Sequence, residues 1–153
     1  MAQASVIVVP TDFSAASSAA LDYAKELARR LGQGIALVHV IDEGFYYVSP
    51  VGVPPVPATY LSDLERRLLE HVEALAASVR DAGVPCEAIV RRGQSAPQIL
   101  DYVEQARPSM VVMGTHGRTG WKHALLGSVA ERVVQRAHCP VLVVPDPERG
   151  KGG

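Results

Sequence analysis

The alternation of two kinds of apolar segment constrains the fold of this chain more than any other feature. Short continuous runs rich in Val and Ile are separated by longer stretches whose apolar residues recur at helical spacing. Continuous apolar runs of this kind are typical of strands that are buried on both faces of a parallel sheet. Such runs predict strands at residues 5–9, 35–41, 84–90, 110–113 and 141–144.

The stretches between these runs predict helices near residues 14–31, 58–82, 95–106 and 128–137. Ser14 is the expected N-cap of the first helix, and Gly32 follows its expected last residue. The side chains expected to face the core are Ala20, Tyr23, Ala24, Leu27, Leu31, Leu61, Leu64, Leu68, Val72, Leu75, Val79, Ile99, Leu100, Val103, Val129, Val133 and Val134. The order β-α-β-α-β-α-β-α-β predicts right-handed crossovers and an open parallel sheet with helices on both faces.

Length and composition favour one globular domain. The chain has 153 residues and no internal repeat, so we expect one domain over residues 1–147 and a flexible tail over 148–153. With 48% apolar and 20% charged residues, the composition suits a protein with a core rather than a disordered chain. A net charge of −1 with no obviously basic face argues against nucleic-acid binding.

The sequence also carries signals about compartment. No apolar run approaches the ~20 residues that cross a bilayer, and residues 1–9 lack the pattern of a signal peptide. Cys86 and Cys139 lack metal-ligand spacing, and two thiols in such a chain fit a reducing compartment. We therefore expect a cytoplasmic protein that does not bind membranes. Residues 42–57, with four prolines and two glycines, predict a long extended surface loop.

Spaced glycines follow the fourth predicted strand, at the edge of the sheet where open parallel sheets bind ligands. Gly114 and Gly117 are expected to bracket a tight turn in which backbone amides can approach a ligand. Gly127 and Ser128 open the fourth helix, whose unpaired first amides and positive dipole end suit a phosphate. Another explanation needs no ligand, because Ser128 and Glu131 match a Ser-x-x-Glu capping box. On local physics alone, the two explanations are evenly balanced.

Polar and apolar candidates also follow the first two strands. Asp12, which comes after Pro10 and Thr11, offers a carboxylate to ribose hydroxyls. Taken alone, a simple role at the start of the first helix explains it better. Val40 offers an apolar surface and backbone groups to the edge of an adenine ring. His116, inside the glycine turn, is a weaker phosphate candidate.

The sequence offers no evident catalytic or metal-binding set. It contains neither a Walker loop nor the dinucleotide fingerprint, and it lacks a Gly-x-Ser-x-Gly elbow. No Asp/Glu/His cluster has metal-ligand spacing. We expect His39 to be a buried or edge histidine rather than a catalyst, and His71 to be structural, beside the apolar stripe of the second helix.

The pattern Gly114-x2-Gly117-x9-Gly127-Ser128 resembles the signature of the universal stress protein family. The run Val-Val-Pro-Thr-Asp-Phe-Ser that ends at Ser14 resembles it too, as do His-Val-Ile from residue 39 and Cys-Pro-Val-Leu-Val-Val-Pro from residue 139. The resemblance extends over residues 5–145. It implies a Rossmann-like sheet of the adenine nucleotide α-hydrolase type, with the strand order 3-2-1-4-5.

The resemblance also implies a nucleotide site of the ATP-binding branch of that family. By position, Asp12 would contact the ribose and Val40 the adenine through its backbone, while Gly117, Gly127 and Ser128 would hold the phosphates. The complete expected set is Pro10, Thr11, Asp12, Val40, Met113, Gly114, His116, Gly117, Arg118, Gly127, Ser128 and Val129. Ser128 and the phosphates could also hold Mg²⁺, as could the hydroxyl of Thr11.

The function implied is that of a stress-response sensor or regulatory module. It would bind ATP and signal to a protein partner through its nucleotide state and through a homodimer formed by residues 141–144. ADP, AMP and cyclic nucleotides stay open as ligands because they share the adenine and ribose. Two other functions also stay open: a slow ATPase or adenine-nucleotide hydrolase, and a nucleotide-free dimerisation module.

Overall fold

Strands and helices alternate along the whole described part of the chain. The structure, a computed structural model, describes residues 5–44, 51–52, 54, 56–117 and 126–148. In these residues the strands are β1 (Val6–Pro10), β2 (Gly34–Asp42), β3 (Cys86–Gly93), β4 (Met110–Gly114) and β5 (Val141–Val144). The helices are α1 (Ala15–Leu31), α2 (Ala58–Asp81), α3 (Ser95–Ala106) and α4 (Ser128–Arg136). Much of the predicted loop 42–57 and the end of the predicted tail lie outside the described residues.

The strands form one parallel sheet in the order β3-β2-β1-β4-β5, as predicted. Helices α1 and α2 pack on one face of it, and α3 and α4 pack on the other. The chain therefore winds outwards in opposite directions from β1 and from β4. In a sheet of this type, the crevice beyond the carboxyl ends of those two strands is the usual place for a ligand.

Alternate residues of the central strands enter the two cores. Buried side chains facing α1 and α2 include Ile7, Val9, Ile35, Leu37 and Val112. Those facing α3 and α4 include Val8, Ala36, Val38, Val111 and Met113. Because both faces are covered, the strands are continuously apolar, and this is the pattern from which they were predicted.

The expected inward stripes are wrong at three positions. Tyr23 and Leu31 of α1 are each 52% exposed, and Val134 of α4 is 44% exposed. In α1 the buried stripe keeps the predicted Ala20 and Ala24 and extends to Ala16 and Ala28, at a spacing of four. These alanines let the helix lie close to the sheet, and Leu21 is buried beside them. In α4 only Val133 of the Val-Val pair can face the core, because adjacent helical residues point about 100° apart.

The helix ends correct one prediction about the site. Ser14 caps α1 as expected, since its hydroxyl accepts a hydrogen bond from the Ser17 amide at 3.2 Å. The N-cap of α4 is Gly127, however, and Ser128 is already the first helical residue. Ser128 therefore lies one position too late to form the capping box predicted with Glu131. That box no longer accounts for the serine.

The described helices give no candidate for a transmembrane segment, because none combines the necessary length with sufficient apolarity.

Candidate functional site

The turn that follows β1 is held by hydrogen bonds at successive residues. Thr11 Oγ1 accepts from the Phe13 amide at 3.1 Å, and Asp12 Oδ1 accepts from the Ser14 amide at 3.0 Å. The Thr11 hydroxyl also lies 3.3 Å from Ser17 Oγ of α1. Thr11 is thus buried beneath the turn, while Asp12 is only partly buried above it. The geometry assigns Thr11 a supporting role and leaves Asp12 as the carboxylate at the edge of the crevice.

Asp12 lies against the turn that follows β4. A Cβ atom added to Gly117 would overlap Asp12 Oδ2, so any other residue here would displace the carboxylate from its present position. The contact spans the gap between the carboxyl ends of β1 and β4. It brings together two of the predicted site residues at the point where the winding of the sheet reverses.

At Gly114, packing against α1 is what excludes a larger residue. An added Cβ would lie 2.8 Å from the carbonyl carbon of Ala16 and 2.9 Å from its Cβ. Real Cβ atoms do not come this close to backbone, so Gly114 is what allows α1 to pack on the end of β4. Neither Gly114 nor Gly117 has a positive φ. Close approach without a Cβ atom, rather than a left-handed backbone, is therefore the physical reason for both glycines.

Gly127 closes the loop that returns to α4. Its amide donates to the carbonyl of Thr115 at 2.7 Å, and the Thr115 amide donates to the carbonyl of Val144 at 3.1 Å. A Cβ on Gly127 would lie 3.2 Å from the Thr115 oxygen and 3.9 Å from the Gly117 nitrogen. These bonds fix the amino end of α4 beside Gly117 and next to β5.

The amino end of α4 opens into a cleft of about 360 Å³. The cleft lies between the end of β2 and the first turns of α3 and α4, and its lining residues are Asp42, Gly44, Gln94, Ser95, Ala96, Pro97, Ser128, Val129 and Arg132. The first amides of a helix are unpaired within it and carry a partial positive charge. The cleft therefore combines polar backbone donors with the basic side chain of Arg132.

The apolar candidates share one face of the sheet. Val40, Met113 and Val129 all belong to, or pack against, the core between the sheet and helices α3 and α4. Met113 is buried, while Val40 and Val129 are only partly so. They form an apolar surface on that face of the sheet, and a nucleobase needs such a surface.

Other predicted site residues support the crevice or lie outside it. Pro10 is buried at the end of β1, and His116 is 8% exposed between the two glycines of the β4 turn. Arg118 lies outside the described residues. Sequence reasoning overlooked Thr115, whose Oγ1 is buried and has no hydrogen-bond partner in the described part of the chain. A buried hydroxyl without a partner is costly, so a ligand or water is expected there.

Among the residues that the structure describes, no group of three or more His, Cys, Asp or Glu side chains is arranged to hold a metal ion.

The comparison with protein-family models decides the relationship suggested by the motif. A model described as the universal stress protein family matches residues 4–145. The chain belongs to the universal stress protein family. Universal stress protein MJ0531 of Methanocaldococcus jannaschii is 36% identical over 149 residues, which cover 94% of this chain and 83% of the relative.

Solved structures of this family share the fold. MJ0577 of M. jannaschii has a TM-score of 0.76 and 30% identity, with 92% of this chain and 95% of that chain covered. A universal stress protein from Archaeoglobus fulgidus in complex with dAMP has a TM-score of 0.63 and 22% identity, with 94% and 99% covered. The Rossmann-like fold expected from the motif is therefore confirmed.

The fold also places residues at the cleft beside α4 that the motif did not reveal. Gln94, Ser95 and Arg132 line the cleft although they lie far from the spaced glycines in sequence. The signal available was positional, since Gln94 and Ser95 follow β3 at the same edge of the sheet as Asp12. Phe13 was also overlooked. It is a non-glycine residue with φ 64°, and such a residue commonly marks a functional turn.

Proposed function

We propose that this universal stress protein binds an adenine nucleotide, with ATP as the principal ligand, in the crevice between β1 and β4. The observation that carries the proposal is the convergence of Asp12, Gly117 and the amino end of α4. A carboxylate suited to ribose hydroxyls then stands beside helix amides suited to phosphate. The residues proposed to contact the nucleotide are Pro10, Asp12, Val40, Met113, Gly114, His116, Gly117, Arg118, Gly127, Ser128 and Val129, with Thr11 beneath the turn.

Each part of ATP has a matching surface. Asp12 Oδ1 is engaged by the Ser14 amide, while Oδ2 is turned toward Gly117 and the crevice. Val40 and Val129 offer an apolar surface to the adenine ring, and the amides at Ser128 and Val129 offer donors to the phosphates. The exposed Ser128, freed from a capping role, supports a contact to phosphate or to its Mg²⁺.

Binding rather than hydrolysis is the function that these residues support best. Hydrolysis requires a positioned water, stabilisation of charge and usually a metal held by acidic ligands. Asp12 lies in the proposed site and Asp42 lines the neighbouring cleft, and one oxygen of each already accepts from a backbone amide. A regulatory module that reports its nucleotide state to a protein partner in the cytoplasm fits this arrangement.

The same proposal includes a homodimer through β5. Within the described residues, β5 pairs with β4 alone, and the four residues Val141–Val144 are apolar and only partly buried. An open apolar edge strand invites aggregation unless it is covered or paired. A second copy across a two-fold axis would pair it. Because the Thr115 amide bonds Val144, the dimer edge and the nucleotide turn would be directly linked.

Isothermal titration calorimetry with ATP, ADP, AMP, cyclic AMP and GTP tests the binding proposal. The fold relative in complex with dAMP makes the monophosphates necessary in the series. We expect saturable one-site binding of ATP, weaker binding of AMP and no measurable binding of GTP. A folded protein that binds none of the adenine nucleotides would overturn the proposal. Phosphate release above buffer background that Ser128→Ala abolishes would favour the hydrolase instead.

A further inference from the structure

An aromatic sandwich lies directly beneath the proposed nucleotide turn. The Phe13 ring stacks face to face on the His71 ring of α2, with centroids 4.1 Å apart and planes inclined by 1°. On its other side Phe13 meets His39 of β2, at 4.6 Å and 37°. The sandwich belongs to the α1/α2 side of the molecule, whereas the proposed base-binding residues lie on the other side.

The sandwich holds a backbone conformation that Phe13 would not adopt readily. Its φ of 64° is in the left-handed region, which disfavours residues with a Cβ atom. His39 adds a second restraint, because its Nδ1 lies 2.8 Å from the carbonyl oxygen of Thr11. The residue before Asp12 and the residue after it are therefore both fixed by groups that lie outside the turn.

We propose that Phe13, clamped between His39 and His71, is a positioning residue for Asp12. Stacking keeps Phe13 in the left-handed conformation, and this conformation directs the Asp12 carboxylate toward Gly117 and the ribose. The inference rests on the proposed nucleotide function and deepens it. Discrimination of the ribose hydroxyls would then depend on a helix, α2, that contributes no predicted contact to the nucleotide.

Variants of His71 separate this role from general stability, because His71 is exposed and is not among the proposed ligand contacts. His71→Ala removes the stacked ring, His71→Phe keeps a ring, and Leu69→Ala is a matched control on the same helix. Calorimetry should compare ATP with 2′,3′-dideoxy-ATP, which lacks the hydroxyls proposed to contact Asp12. Amide hydrogen exchange by NMR should follow the Phe13 and Ser14 amides without nucleotide.

We expect His71→Ala to weaken ATP binding about two- to tenfold, the range expected from the loss of one aromatic pair. The affinity for dideoxy-ATP should stay unchanged, and the Phe13 and Ser14 amides should exchange faster. His71→Phe and Leu69→Ala should behave like the wild type. Equal losses for both nucleotides, or unchanged exchange in His71→Ala, would overturn the positioning role while nucleotide binding stands. A wild type that binds no ATP would overturn both proposals.

Discussion

The Asp12 carboxylate and the Gly117 backbone touch across the gap between two strands that are neither sequence neighbours nor joined by a single helix. Oδ2 of Asp12 occupies the space that a Cβ on Gly117 would need. Its Oδ1 is fixed by the amide of Ser14. The carboxylate is therefore located from both sides, by the start of α1 and by the turn after β4.

Replacing Asp12 with Asn should remove the ribose contact without unfolding the turn. The side-chain oxygen of Asn can still accept from the Ser14 amide, so the local geometry is retained. A hydrogen bond to a charged group contributes about 1.5–3 kcal/mol, so we expect ATP affinity to fall roughly ten- to a hundredfold. Calorimetry measures the loss. Asp81→Asn, at the far end of α2, serves as the charge-matched control and should bind like the wild type.

Two glycine substitutions should affect different properties, one the stability of the fold and the other the affinity for ATP. Gly114→Ala places a methyl group 2.8 Å from the backbone of Ala16, so it should destabilise the fold by about 1–3 kcal/mol. Gly127→Ala meets Thr115 less tightly, at 3.2 Å, but obstructs the amino end of α4 where the phosphates are proposed to bind. We expect the first change mainly to lower Tm and the second mainly to weaken ATP binding. Equal effects of both changes on Tm, with ATP affinity retained by Gly127→Ala, would contradict the phosphate assignment.

The sequence allowed the fold to be predicted well because burial on both faces leaves a strong local signal. The run at β4, for example, is apolar at successive positions, so the strand can be recognised before the order of the strands is known. The borders of the helical stripes were harder to predict: apolar spacing included the exposed Tyr23 and left out the buried Ala16. The short distance between α1 and the sheet favours alanine at the buried positions, and the spacing of apolar residues in the sequence does not reveal that distance.

Several residues of the site could be predicted from the sequence, but the contacts that hold them in place could not. Asp12 and the glycines were identified by their positions after strands, and the structure brings Asp12, Gly117 and Gly127 together. The capping box failed because α4 begins at Ser128, one residue earlier than Ser-x-x-Glu requires. The role of Phe13 was invisible, since it depends on rings supplied by β2 and by α2. Sequence spacing cannot report contacts between segments this far apart.

The Cys86 thiol should make stability fall at high pH. Burial at the edge of the sheet raises the pKa of Cys86 from 9.0 to about 11. The folded state therefore retains the thiol proton at pH values where the unfolded chain loses it. The contribution of the protonated Cys86 thiol to the free energy of unfolding is present below pH 9 and is lost as the pH rises toward 11. Tm measured from pH 8 to 11 should fall less steeply in Cys86→Ala than in the wild type, and parallel profiles would contradict this.

The outer edge of β5 can be tested without disturbing its pairing to β4. The parallel register directs the backbone groups of Leu142 and Val144 toward β4, so those of Val143 point to the free edge. Val143→Pro therefore removes an outward N–H, which an edge strand tolerates but a strand paired on both sides does not. We expect light scattering to show a dimer for the wild type and a folded monomer for Val143→Pro. Val143→Ala, which keeps the N–H, should stay dimeric. A wild-type monomer, or a dimer that survives the proline, would place the interface elsewhere or remove it.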